Sequence, residues 1–224
     1  MSTAPQAAPG SRLGLSRERI VEGALELLDR DGLDAFSMRR LAEELGVGTM
    51  TVYGYFRGKD ELLDAVVDIG GERIARRVSE VESDGSWKPR LRELMIGVHD
   101  DLTAHPGIVE LRYKRPLLSP GALRLTEIAM RALRDAGFSM REAGRIYRIL
   151  FVYTFGFCAF GPGPRSAPDR DSSIAALRAL PADRYPTLVD AAVEASESMA
   201  DQTLYEAGLD ALLDGLGSSP LTAE

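Results

Sequence analysis

The chain has 224 residues, of which 45% are hydrophobic, 27% charged and 7% aromatic. That balance suits a folded globular protein and excludes a fibrous or wholly unfolded one. A single cysteine, Cys158, excludes an internal disulfide and a cysteine-rich zinc site, and it points to a reduced, cytoplasmic setting. The net charge of −7 comes from 27 basic and 34 acidic residues, yet residues 1–60 hold 8 of the basic and 9 of the acidic groups and are nearly neutral. Any DNA contact must therefore come from local placement of charge, not from bulk attraction.

Between residues 16 and 216 the apolar positions recur at helical spacing, and no run alternates as a strand would. The Ala-, Pro- and Ser-rich residues 1–15 read as an arm without fixed structure. Ser16 caps a first helix ending near Asp31, with Ile20, Ala24, Leu27 and Leu28 on one face. Ser37 opens a second, two-turn helix, and Phe36 and Leu41 have the spacing of a hydrophobic staple. A third short helix runs from about Met50 to Phe56. A fourth starts at Asp60-Glu61, acidic residues that favour a helix N-terminus, and reaches about Val81. Further helices are expected over about 87–104, 107–114, 120–135 and 140–160. A Pro- and Gly-rich connection over 161–171 follows, then a short helix over 173–180. One final long helix is expected from about Thr187 to Leu213, with a frayed tail at 217–224. The most apolar stretch, 146–160, carries Arg148 and is shorter than the roughly 20 residues needed to span a bilayer.

Residues 37–59 read SMRRLAEELGVGTMTVYGYFRGK. Two short helices flank a tight turn holding Gly46 and Gly48, the layout of a helix-turn-helix. Ala42 lets the helices approach, and Val47 and Val52 face the core. Thr49, Met50, Thr51, Tyr53 and Tyr55 are left on the exposed face of the third helix. Such hydroxyl, methyl and phenol groups can bond phosphates and base edges or touch thymine methyls. Arg39, Arg40, Arg57 and Lys59 surround that face. Phe56 reads as core, and Arg40 reads equally as a solvated charge or a phosphate contact.

The stretch from about Arg17 to Val67 resembles the DNA-binding domain of the tetracycline-repressor family. It does so through ALELLDRDGLDAFSMRRLAEELGV, then TVYGYF, then KDELL, with Tyr53-x-Tyr55-Phe56-x-x-Lys59 as the most specific element. HPGIVELRYKRP and ALRDAGFSMREAGRIYRILFVYTFGF resemble the C-terminal region of the tetracycline-repressor branch. The resemblance implies an all-α fold. A three-helix helix-turn-helix domain over 16–62 would precede a larger helical ligand-binding and dimerisation domain over 63–216. It implies that Arg39 reaches a base edge or phosphate, that Thr49, Met50 and Thr51 face the major groove, that Tyr53 and Tyr55 touch phosphates or methyl groups, and that Lys59 binds phosphate. Gly54 departs from the bulkier residue of some members.

The same resemblance suggests an effector pocket lined by Leu94, Val98, Leu111, Arg115, Tyr147 and Phe151, suited to a mostly apolar ligand with an acceptor group. The helix over 140–160 has two apolar faces, Leu150, Tyr153 and Phe157 on one and Tyr147, Phe151 and Thr154 on the other. One face is expected to line the pocket and the other to pack on a second subunit. Leu188, Ala192, Ala195 and Met199 would complete a four-helix dimer bundle by analogy with the family. Leu111, Ala129 and Phe160 occupy positions where a magnesium–tetracycline chelate would need polar groups, so that ligand is not expected. His99 and His105 lie about 240° apart around a helix, and neither a metal nor any other cofactor is called for.

The expectation is a repressor that binds a palindromic operator as a homodimer and is released by a small effector, which would change the tilt of the fourth helix. A helical adaptor without DNA specificity is the alternative. An enzyme is disfavoured, because G-x-G-x-x-G, phosphate-loop, H-E-x-x-H and G-x-S-x-G patterns are all missing from the sequence.

Overall fold

The computed structural model describes residues 15–81, 86–114, 118–160, 170–200 and 203–218. Expectations for the arm before residue 15, for Arg115, for 161–169 and for the end of the tail lie outside the described residues. Among those residues the structure has twelve helices and no strand. The chain divides into two compact units, Met1–Val66 and Val67–Glu224.

The first unit holds α1 (Arg17–Asp31), α2 (Met38–Glu44), α3 (Thr49–Tyr55) and the opening of α4 (Lys59–Ser79). Ser16 and Ser37 act as the expected N-caps, their hydroxyls accepting from the amides of Arg19 and Arg40 at 3.2 Å each. Ile20, Leu27, Leu28, Leu41, Val52, Phe56 and Leu62 are buried together as the core. The α2–α3 turn is closed by the Val47 amide donating to the Ala42 carbonyl at 2.9 Å. Gly46 adopts φ +66° there, a conformation in which a Cβ would be strained. α3 starts one residue before the expected position, with Gly48 as its N-cap, and Phe56 is its C-cap.

The second unit contains the rest of α4, then α5 (Trp87–Ala104), α6 (Pro106–Lys114), α7 (Pro120–Asp135), α8 (Met140–Phe160), α9 (Arg170–Arg178), α10 (Pro186–Asp190), α11 (Ala192–Ala200) and α12 (Leu204–Ser218). α5, α7, α8 and α12 pack on one another. Their core joins Leu91, Leu94, Leu133, Ile146, Leu150 and Leu209. Tyr205 lies inside it: its hydroxyl donates to the Met95 carbonyl at 2.9 Å and lies 2.9 Å from the Thr154 hydroxyl. His99 stacks on the Tyr205 ring at 3.9 Å. α4 crosses α7 closely, and a Cβ on Gly71 would sit 2.9 Å from the Gly121 carbonyl carbon. The Gly121 amide donates to Asp68 at 2.6 Å.

The single final helix expected from Thr187 to Leu213 is instead three helices. α10 ends at Ala191, whose amide closes on the Thr187 carbonyl. The reason lies in the partners. Buried Ala192 and Ser196 belong to α11, which packs on α9, whereas Tyr205, Leu209 and Leu213 belong to α12, which packs on α5 and α8. One straight helix cannot present both stripes to those separate neighbours. Leu188 is left exposed on α10. Thr154 also changes place: it is fully buried on the same face as Leu150 and Ile146, while Tyr147 and Phe151 sit on a different face.

Candidate DNA-reading surface and effector cavity

Period decides which side of α3 is exposed. Val52 and Phe56, four residues apart, point into the core at 0% and 1% exposure, and Met50 projects outward at 81%. Thr51, Tyr53 and Gly54 share the exposed side, and Thr49 is half-buried. A Cβ on Gly54 would meet nothing within 4 Å, so the position where a bulkier side chain would stand is open space. Arg39 stands exposed on α2, bonded to Glu43 at 3.1 Å one turn on. An exposed pair of this kind is weak and readily exchanged for another anion. Arg40 is paired with Asp31 at 2.8 Å.

Two residues of the expected contact set are engaged within the unit. The Tyr55 hydroxyl donates to the Leu15 carbonyl at 2.8 Å. The Lys59 ammonium donates to the carbonyls of Phe36 and Leu33 at 2.9 and 3.2 Å and lies 5.3 Å from the Phe36 ring centroid. Lys59 thereby ties the start of α4 to the α1–α2 connection, leaving one of its three donors. Arg17 fastens α1 to the end of α3: it donates to the Tyr55 carbonyl at 2.9 Å, lies 4.0 Å above the Phe56 ring and pairs with Glu61 at 3.5 Å. The Arg57 amide donates to Glu61 and, with Arg17 nearby, holds the Glu61 carboxyl below its usual range. These ties fix the angle at which α3 presents its outer face.

The second unit contains a cavity of about 300 Å³ between α4, α5, α6, α7 and α8. Leu94, Val98, Tyr147 and Phe151 line it as expected from the resemblance, and Arg115 lies outside the described residues. Leu111 does not line it. That side chain is fully buried, and its neighbour Arg112 faces the cavity instead, one turn beyond the lining residue Ile108. A step of one residue rotates a helical side chain by about 100°, so a shift of one along α6 exchanges a core leucine for a cavity arginine. Phe155, Thr126, Asp101 and Arg148 were also not anticipated. Ile108 and Arg112 at i and i+4, and Tyr147, Phe151 and Phe155 at the same spacing on α8, are the signals that could have found the lining. The Thr126 and Tyr147 hydroxyls are 2.9 Å apart. Phe151 and Phe155 are stacked with centroids 6.0 Å apart.

His99 and His105 do not converge. His99 stacks on Tyr205, and His105 is the C-cap of α5. Among the described residues no group of three or more His, Cys, Asp or Glu is placed to hold a metal ion, and no helix is long and apolar enough to cross a membrane.

A capped helix-turn-helix with an outward-facing second helix, followed by a larger helical unit that contains a cavity, defines a ligand-responsive DNA-binding regulator. Residues 20–66 match the bacterial regulatory proteins of the tetR family, and residues 81–219 match the tetracyclin repressor-like C-terminal domain. The chain belongs to this family of transcriptional regulators. It is 31% identical to the HTH-type transcriptional repressor Rv1353c of Mycobacterium tuberculosis, over 95% of this chain and 86% of that protein. It is 34% identical to the HTH-type transcriptional repressor DrrR1 of Streptomyces coeruleorubidus, where the match spans 59% of this chain but only 48% of that longer protein. Among solved structures it resembles apo ActR of Streptomyces coelicolor with a TM-score of 0.69 and 30% identity, covering 92% of this chain and 96% of that one. ActR has also been solved in complex with actinorhodin, at 30% identity and a TM-score of 0.68, covering 92% of this chain and 98% of that one.

Proposed function

We propose that the protein is a cytoplasmic repressor that binds a near-palindromic operator as a homodimer and leaves it when a small, mostly apolar effector enters the cavity of the second unit. The observation that carries this reading is the coexistence of an outward-facing α3 and an aromatic-lined cavity in one chain. Met50, Thr51 and Tyr53 read the major groove, with Thr49 at its edge. Met50 favours thymine methyl contacts because its side chain has no strong hydrogen-bonding group. Arg39 takes a phosphate or base edge. Arg40 and Tyr55 contribute at the margin, and Lys59 acts chiefly by holding α2 and α4 in register.

Homodimerisation is supported by apolar side chains left exposed along α8, with Ile149, Val152 and Phe160 at 37%, 49% and 88%. A second copy is the natural cover for such a strip. Two chains related by a two-fold axis place their α3 helices in successive major grooves about 34–36 Å apart. Effector binding needs only to favour the dimer arrangement that does not match that spacing. The complex of the related ActR with actinorhodin supports a small-molecule effector.

Selection from random duplex oligonucleotides with the purified full chain, at stated salt because phosphate contacts are salt-dependent, tests the reading. Enrichment of a two-fold symmetric site is expected. No enrichment from folded, ligand-free protein would shift the weight to the helical adaptor.

A further inference from the structure

The charges lining the cavity do not balance. Asp101, on α5, is almost wholly buried, and its carboxylate is paired with Arg73 of α4. Arg112, on α6, is half-buried with its guanidinium 4.6 Å from the centroid of the Phe151 ring, and it has no carboxylate partner among the described residues. Arg148, one helical position beyond Tyr147, also lines the cavity and is likewise without a carboxylate among them. Burial pushes the Arg112 guanidinium below its ordinary range; Tyr147 acts against that shift, and Arg148 acts with it. A desolvated cation beside a second cation is costly unless an anion joins them.

The rest of the lining is suited to a flat hydrocarbon body. Phe151 and Phe155 stack in parallel along one wall. Leu94 and Val98 supply aliphatic surface, and the Thr126–Tyr147 hydroxyl pair offers a neutral polar point. A guanidinium fork matches the two oxygens of a carboxylate or sulfonate.

We infer that the effector is an aromatic acid, its rings against Phe151 and Phe155 and its anionic group paired with Arg112. This rests on the cavity being the effector site. An aromatic cation would face two guanidiniums and is rejected, and a neutral aromatic would leave Arg112 uncompensated.

Two fluorescent probes that differ only in a sulfonate separate the possibilities. They are 1-anilinonaphthalene-8-sulfonate, which is anionic, and N-phenyl-1-naphthylamine, which is neutral. Both are titrated into the full chain, into Arg112→Met, into Arg112→Lys and into Val98→Phe, with far-UV circular dichroism showing that each variant is folded. Arg112→Met is expected to weaken the anionic probe roughly 10- to 100-fold, the range for a charge-assisted contact, and to change the neutral probe less than about twofold. Arg112→Lys retains the charge and restores part of the anionic affinity, so it keeps the test open if Arg112→Met does not fold. Val98→Phe narrows the cavity and weakens both probes. If Val98→Phe weakens both but neither Arg112 variant discriminates between them, the aromatic-acid assignment is overturned and the cavity remains the effector site. If Val98→Phe weakens neither, the cavity is not the site and both conclusions fall.

Discussion

Replacing Lys59 by methionine keeps most of the aliphatic stem and removes the ammonium, which separates two roles for this residue. In the structure the ammonium donates to the Phe36 and Leu33 carbonyls at 2.9 and 3.2 Å. A hydrogen bond to a charged group contributes about 1.5–3 kcal/mol when buried. Two bonds at the lower end would give about 3 kcal/mol, and because Lys59 is only half-buried solvent screening lowers the pair to about 2 kcal/mol. For a unit of this size that corresponds to a fall in melting temperature of roughly 10 °C. Far-UV circular dichroism of the full chain reads the loss. Trp87, the one tryptophan, packs edge-on against Phe138 in the second unit and reports that unit by fluorescence. DNA affinity measured by anisotropy at several salt concentrations gives the second readout. Loss of a phosphate contact lowers the slope of log K against log salt by about 0.9, whereas loss of a positioning residue lowers affinity without that change. Lys59→Met should melt earlier and keep the slope, and Arg39→Ala should melt normally and lose about 0.9 from it. Normal melting of Lys59→Met with a slope reduced by about 0.9 would refute the positioning role and return Lys59 to the phosphate.

Tyr205→Phe removes the hydroxyl that donates to the Met95 carbonyl at 2.9 Å and lies 2.9 Å from the Thr154 hydroxyl, which keeps its own bond to the Leu150 carbonyl. It should cost about 1–3 kcal/mol in urea unfolding, and an unchanged midpoint would show that the hydroxyl is not a structural tie. Gly71→Ala drives a Cβ to 2.9 Å from the Gly121 backbone; a loss of about 1–3 kcal/mol is expected from overpacking, and an equally stable variant would mean that α4 and α7 cross less closely than described. Burial pushes the Cys158 thiol from about 9 to about 11. At pH 9 its alkylation by iodoacetamide should therefore be about 50-fold slower in the folded chain than in urea. Because the folded state holds this proton more tightly, the associated stability is present below pH 9 and is lost as pH rises through about 11. Equal alkylation rates in the two states would contradict the burial.

The first unit was legible because its signals are local. Ser16 and Ser37 cap their helices, Gly46 takes the positive φ that the turn demands, and Val52 and Phe56 face inward at helical period. What escaped the sequence depends on partners distant along the chain. Nothing in residues 186–213 announces that α11 turns toward α9 and α12 toward α5 and α8, so the break at Ala191 could not be read from an unbroken helical pattern. The cavity was half-legible for the same reason. The family resemblance suggested Tyr147 and Phe151, but the phase of α6 is set by how Leu111 packs into the core, and a difference of one residue decides between Leu111 and Arg112. Lys59 carries a charge that suits a phosphate equally well, and only the fold brings the Leu33 and Phe36 carbonyls within its reach.

Hydroxyl-radical footprinting of the full chain on a duplex recovered by selection tests the central claim most directly. Two protected patches on one face of the duplex, one helical turn of 10–10.5 base pairs apart and lost together when the effector is added, are the predicted result. A single patch, or protection that does not respond to any ligand of the cavity, would contradict a dimeric, effector-released reader of DNA.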